Sequence, residues 1–281
     1  MSTSNPGSQS TTMQDTLPRT SSEHFENLEA EWAALHDATP GATIFQHPRW
    51  TATWLRHFGE GTAPIYLSVR LEEELVGVIP LDVRGGHARL LGDADVSDFG
   101  PILAAPGHAH AVARGLCEWL MEDMTPAATA WGLGGEDPLA EAFASVAPGF
   151  GFGVSTEDEA VTPVAQLPGD WESYLASLSK KDRHELRRKL RHVEEAGHEA
   201  QFSEATDTET IAASMDRFFE LMRASRPDKA EFLTPAAEGF IRDVATGAAN
   251  LGVARLSTLS LDGHSAAMTL AFETEQDRLP L

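Results

Sequence analysis

Apolar residues recur along the chain with two different periods. Phe25, Leu28, Trp32 and Leu35 follow a helical spacing that Pro40-Gly41 ends. Trp50, Trp54, Leu55 and Phe58 share one side of a second predicted helix over His47–Phe58. The pattern then tightens into two strands, Ile65–Val69 and Leu75–Leu81, around a polar turn at Glu72–Glu74. A third strand is expected at Ala88–Leu91, then a Gly/Asp-rich loop and a helix over Ala109–Met124. Ala130–Leu133 reads as another strand and Pro138–Val146 as another helix.

Gly149–Pro168 is punctuated by glycine and proline and marks a domain junction. One long helix is expected from Trp171 to Ala196, closed by Gly197, then helices at Thr208–Ala224 and Pro235–Ala245. Gly252–Leu261 and His264–Phe272 flank Asp262-Gly263, a pair suited to a type I′ hairpin turn because both positions need positive φ. The two halves repeat the order helix, short helix, hairpin, which predicts a duplicated α/β unit whose second copy is cut short at Leu281. The expected division is a disordered leader at 1–22, a first domain at 23–160 and a second at 161–281. The leader, rich in Ser, Thr and Gln, has no apolar periodicity to offset the entropy of ordering.

Charge changes the picture most. The 281 residues carry 21 Lys+Arg against 43 Asp+Glu, a net charge of −22. Such a chain repels nucleic acid and anionic membrane as a whole, so any anion binding must be local. The single cysteine, Cys117, excludes an internal disulfide framework, and no apolar run reaches membrane-spanning length. These features point to a soluble cytoplasmic protein.

Against this background, Lys180–Arg191 holds seven basic residues and two acidic ones, a local charge of +5. On a helix, Lys180, Arg183, His184, Arg187, Arg188 and Arg191 fall within an arc of roughly 140°. Leu175, Leu178, Leu186 and Val193 lie opposite, so that side is expected to pack on the body. A solvated face is the plain explanation. However, like charges at i,i+4 (Arg183/Arg187, Arg187/Arg191) each cost a few tenths of a kcal/mol. Arginine forks also fit phosphate oxygens, so a phosphorylated ligand or anionic partner is the sharper reading. An internal acidic cluster is the competing one.

Leu178–His192, with Trp171 before it and Gly197 after, resembles the signature of a GNAT-superfamily acyltransferase group, the BioF2-like or CelD-like proteins related to the FemAB peptidyltransferases. Phe45–Trp50, Leu75–Leu81, Ser97–Pro101 and Leu261–Ala267 fit the same resemblance in order and spacing, over about Glu23 to Phe272. It implies tandem GNAT-like domains of α/β (α+β) class with mixed, mostly antiparallel sheets. It also implies acetyl-CoA or another acyl-CoA as co-substrate, a small-molecule or amine acceptor, and no metal. In that superfamily a splayed strand and a Gly-rich loop at a helix start hold the coenzyme pyrophosphate. The stretch Glu273–Leu281 is too short for that element, and Pro101–His110 lacks a Gly-x-Gly pattern, so no cofactor-binding residues are assigned.

Asp98 is the candidate general base and Lys180, Arg183, Arg187 and Arg188 the candidates for phosphate or acceptor binding. Two alternatives stay open: a non-catalytic protein whose basic helix holds an anionic partner, and a transferase using aminoacyl-tRNA. Asp93, Asp95 and Asp98 fail as a calcium loop, because Asp98 stands where glycine is needed and Ala104 where the bidentate Glu belongs. Ser265 sits in a hairpin rather than at a nucleophile elbow, and His108 and His110 lack further metal ligands at matching spacing. Cys117 is expected to be a buried, inert thiol.

Overall fold

Two separate sheets, each backed by helices, organise the chain. A computed structural model describes residues 17–135, 137–161, 163–273 and 278–280. In chain order the strands are β1 (Arg19–Glu23), β2 (Pro64–Leu71), β3 (Glu74–Arg84), β4 (His87–Leu90), β5 (Leu103–Ala104), β6 (Ala127–Thr129), β7 (Ala200–Ala205), β8 (Ala254–Leu261), β9 (His264–Glu273) and β10 (Arg278–Pro280). The helices are α1 (Phe25–Ala38), α2 (Pro48–Phe58), α3 (Ala109–Glu122), α4 (Pro138–Val146), α5 (Trp171–Ser177), α6 (Lys180–Glu195), α7 (Thr208–Ser225), α8 (Pro227–Phe232) and α9 (Pro235–Asn250).

The first compact unit takes the chain up to Pro40, then Ala63–Leu91 and Pro101–Val154. Its sheet has the order β1-β2-β3-β4-β6, with β5 also pairing β3, and every pair is antiparallel except β4–β6. β4 and β5 share one edge of β3: β5 lies opposite Gly77 and Val78, and β4 opposite Leu81–Arg84. Leu67, Val69, Val76, Ile79 and Leu81 pack with Val112, Leu116 and Leu120 of α3 in one core. Gly77 permits this approach, since a Cβ there would overlap the Val112 side chain.

The second unit takes Gly41–Thr62, Gly92–Gly100 and the chain from Ser155 onward. Its sheet, β10-β9-β8-β7, is antiparallel throughout. Leu256, Leu270 and Phe272 meet Ile211, Met215 and Phe219 of α7 and Phe240 and Val244 of α9. At the β8–β9 turn Asp262 has φ 51° and Gly263 φ 77°, the conformation expected of this pair.

The mixed, mostly antiparallel sheets of the expected α/β class are therefore present, but several local expectations need correction. Arg19–Ser22, assigned to a disordered leader, form most of β1, whose partner is the edge of β2. Main-chain pairing and a buried Arg70 bonded to Glu23 and Glu31 hold this polar strand, so it leaves no hydrophobic signature. The rest of the expected leader, residues 1–16, lies outside the described residues. β6 runs over Ala127–Thr129 rather than 130–133, and Trp131 is buried by donating its indole N–H to the Leu90 carbonyl, 2.9 Å away. The expected helix 171–196 is two helices, because Leu178 is extended and Ser179 restarts the helix by accepting from the Asp182 N–H. A cut at 160/161 would be contiguous, whereas the compact units interleave. Residues 41–62 and 92–100 join the second unit because Phe45, Trp50 and Val96 are buried in its core.

Candidate functional site

Asp98 sits in the loop that the second unit takes from the middle of the chain. The anchoring begins at Ile44–Gln46, a 3₁₀ turn closed by a reciprocal capping box between Thr43 and Gln46. His47 then caps α2 by accepting from the Arg49 N–H at 3.2 Å, and Pro48 occupies the first helical position. This entry sets Phe45 and Trp50 edge-to-face, 4.7 Å between centroids. Trp50 also stands edge-on to Phe240 at 5.2 Å and Phe272 at 5.7 Å, so α2 is keyed into both α9 and β9.

The same tryptophan reaches the Asp98 loop. Its Nε1–H donates to Ser97 Oγ at 2.8 Å in a buried bond. Val96 and Ser97 are buried, and Phe99 lies 6.0 Å from Phe45. Asp98 is thus flanked by inward-anchored residues while its own side chain is exposed. The surrounding protein pushes its carboxyl above the ordinary value through desolvation. Among the described residues nothing bonds to that carboxylate. Asp93, by contrast, accepts from the Asp95 N–H at 2.9 Å as an ordinary turn residue.

A second tie holds α2 to α9. His57 Nε2 and Arg56 Nη1 converge on Asp243 Oδ2 at 2.8 and 2.9 Å. Asp243 is shifted down: partial burial opposes its charge, and the bonds from His57 and Arg56 outweigh that cost. No sequence signal marks this cluster, because its members lie 186 and 187 residues apart.

The candidate anion-binding residues all lie on α6, and the expectation that the opposite face packs on the body holds only at its start: Leu175 is buried and Leu178 and Leu186 are half-buried, whereas Val193 is exposed. No α6 residue is buried, and Leu190 and Val193 are 43% and 40% exposed. Among the described residues, no helix or strand packs extensively along it, although Arg187 reaches Glu172 of α5. Arg188 is neutralised by Glu185 through bonds of 3.0 and 2.7 Å, and Arg187 lies 3.5 Å from Glu172. Lys180, Lys181, Arg183 and Arg191 have no carboxylate within ion-pair distance among the described residues. Ten arginines elsewhere in the described chain do have one, and Arg49, Arg89 and Lys229 do not, so the shortage is concentrated in α6 without being confined to it. An open depression of about 470 Å³ borders His184, Arg187, Leu190, Arg191 and Glu194. Of the four predicted binding residues, Lys180 and Arg183 therefore have free charge, and Arg191 is a third cation that belongs with them. Asp98 and α6 lie in the same unit, with no hydrogen bond or ion pair between them among the described residues.

The remaining candidates take structural places. Cys117 is buried, and burial pushes its thiol up, with Glu118 adding to the effect. Ser265 lies within β9, where its carbonyl accepts from Arg217. His108 precedes α3 without a side-chain cap bond.

Residues 180–279, about a third of the chain, match the family model of the acetyltransferase (GNAT) domain; the match runs from α6 to β10. A conserved protein of unknown function from Bacteroides thetaiotaomicron VPI-5482 is 14% identical, with a TM-score of 0.53 over 86% of this chain and 73% of its own. That likeness shows a shared fold. A tandem GNAT protein from the clavulanic acid biosynthesis pathway, solved without AcCoA, is 15% identical over 92% of this chain and 75% of its own. Its TM-score of 0.37 is too low to carry structural argument. No curated protein matches the chain significantly. No described helix is long and apolar enough to cross a membrane.

Proposed function

We propose that the chain is an acyltransferase that moves an acyl group from an acyl-CoA, acetyl-CoA being the simplest, to an amine acceptor. The observation that carries this reading is the acetyltransferase (GNAT) match over residues 180–279. In the proposed reaction the acceptor nitrogen attacks the thioester carbonyl carbon, the carbon–sulfur bond breaks, and an amide forms. Asp98 takes the proton released by the amine, and the departing thiolate of CoA is protonated in turn. An exposed, unbonded carboxylate whose proton affinity is raised by desolvation is suited to that task. Its buried neighbours would keep it oriented through the cycle.

Lys180, Arg183 and Arg187 supply the anion-binding charge, with Arg191 as their continuation along the helix. Arg188, already bonded to Glu185, contributes less. The relation to the BioF2-like group, and a cytoplasmic setting, belong to the same proposal.

Isothermal titration with acetyl-CoA tests donor binding, and single-turnover release of free thiol in the presence of candidate amines tests transfer. Binding weakened by Arg183→Gln and Arg191→Gln, and thiol release abolished by Asp98→Asn, are the expected results. Absence of both heat and thermal shift at millimolar acetyl-CoA would reject this chain as the donor-binding protein.

A further inference from the structure

α6 is a sixteen-residue helix with no buried residue, and among the described residues no helix or strand packs extensively along it, although Arg187 reaches Glu172 of α5. A helix of this length is marginal in water without a packed face. Its apolar residues Leu186, Leu190 and Val193 follow the i, i+4, i+7 spacing of helices that lay one side into a partner. Arg183 and Arg191 flank that stripe and have no carboxylate within ion-pair distance among the described residues, although the chain outside Lys180–Arg191 sums to −27. A surface both apolar and anionic would complement this helix.

The same unit presents such a surface on its own sheet. Core residues Ala254, Leu256, Leu270 and Phe272 occupy one face. On the other face, Phe202, Leu259 and Ala267 lie side by side across β7, β8 and β9. Phe202 is 69% exposed and Leu259 40%, so nothing described covers this row. Along it stand Glu199, Glu204 and Asp262 beside Arg255 and His198, a net negative rim among the described residues in which Glu204 lies 4.0 Å from Arg255 and Asp262 2.6 Å from His198. β7 is moreover the outer strand of the sheet, and it has no proline, lysine or bulge to protect that edge.

We propose that α6 and this outward sheet face are the two halves of a self-complementary interface, so that α6 of one copy lies on the acidic, apolar sheet face of a second copy and the exchange is reciprocal. Such a two-fold arrangement uses each surface once per copy and closes. Two contacts, each the length of a ~24 Å helix, together bury on the order of 1,000 Å², the lower bound for a specific assembly. Leu190 and Val193 meet Phe202 and Leu259, while Arg183 and Arg191 meet the acidic rim. The open depression beside Arg187 and Leu190 would then gain a second wall. Arg183 and Arg191 cannot face carboxylates and donor phosphates at once, so, resting on the function proposed above, the dimer is the donor-free form and acyl donor competes with it; the test is made without acyl donor.

Sedimentation velocity of the full chain across concentrations up to ~100 µM at about 50 mM salt reads the association directly. A dimer is expected whose dissociation constant rises at least tenfold in Leu190→Ser/Val193→Ser and in Phe202→Ser. Raising the salt to about 0.5 M should weaken it severalfold, because the rim charges are screened. Arg183→Glu/Arg191→Glu chains and Glu199→Lys/Glu204→Lys chains should each be monomeric, and mixing them should restore a heterodimer. Far-ultraviolet circular dichroism confirms that each variant is folded. A chain that stays monomeric throughout overturns the proposal, as does a dimer indifferent to all these substitutions. Binding of α6 to a different acidic protein by a chain that does not self-associate also counts against it.

Discussion

The bond between Trp50 and Ser97 joins two segments 47 residues apart and fixes the loop that presents Asp98, so its removal has a calculable signature. Trp50→Phe keeps an aromatic ring against Phe45, Phe240 and Phe272 but deletes the indole N–H. The lost bond and the orphaned, buried Ser97 hydroxyl together cost about 1–3 kcal/mol. The smaller ring adds about 1 kcal/mol for incomplete refilling of the space. Ser97→Ala alone orphans the Trp50 N–H and costs about 1–3 kcal/mol. Once Trp50 is Phe, however, the hydroxyl has nothing to lose, and Ser97→Ala should then cost less than about 0.5 kcal/mol. Urea unfolding of the parent, both single variants and the double variant, followed by circular dichroism, gives the coupling, expected at about 1–2 kcal/mol. Additive single effects would refute the reasoning and leave aromatic packing alone as the anchor of the loop.

Gly239→Ala should destabilise despite the better helix former, because the new Cβ would stand 2.7 and 2.9 Å from His57 Cε1 and Nδ1. The ring is pinned to Asp243, so a net loss of about 1–2 kcal/mol in urea is expected, and His57→Ala should relieve most of it. Asp98→Asn should raise stability at neutral pH, because the folded state holds that carboxyl above its ordinary 3.8 and so penalises its charge. Below pH 3.8, where the carboxyl is protonated folded and unfolded alike, the two curves should converge; a variant less stable at pH 7 would contradict the shift. Asp243 has the opposite sign, since its folded value lies below 3.8. Its contribution should be complete above that pH and fade as the pH falls through the depressed value, which acid titration of the parent against Asp243→Asn measures.

What the sequence makes legible divides along physical lines. Helices α1, α2, α4, α7 and α9 and the two hairpins are readable because each has a stripe of one period bounded by caps or turn residues. β1 and β7 are not, since their composition is polar and their order comes from pairing with a neighbour that sequence does not show. The α5–α6 break was readable in principle: Ser179 followed by Asp182 is a helix-start signal inside an otherwise continuous pattern. The basic residues of α6 are visible at once, but their lack of carboxylate partners is a three-dimensional fact. Asp98 could be singled out only as one acid among three in its loop. Its distinction from Asp93 arises from buried Ser97 before it and half-buried Phe99 after it.

The interleaving of the units bears on how the candidate site is built. Phe45, Trp50 and Val96 lie in stretches that the hydrophobic pattern assigns to the first half of the chain, yet they complete the core formed by Phe240 and Phe272 in the second. A core that draws its nineteen buried positions, among the described residues, from three separate stretches is cooperative across them. Removing residues 41–62 would strip Trp50 from Ser97, and the pair Arg56 and His57 from Asp243. It follows that the region matching the acetyltransferase domain, 180–279, lacks part of the core it needs. Expressed alone, that region should behave as a partly folded chain with poor chemical-shift dispersion, whereas the intact chain should show native dispersion. A fragment 180–279 that folds cooperatively by itself would show that α2 and the Asp98 loop merely rest on a finished domain. In that case the orientation of Asp98 would owe nothing to the core beneath it.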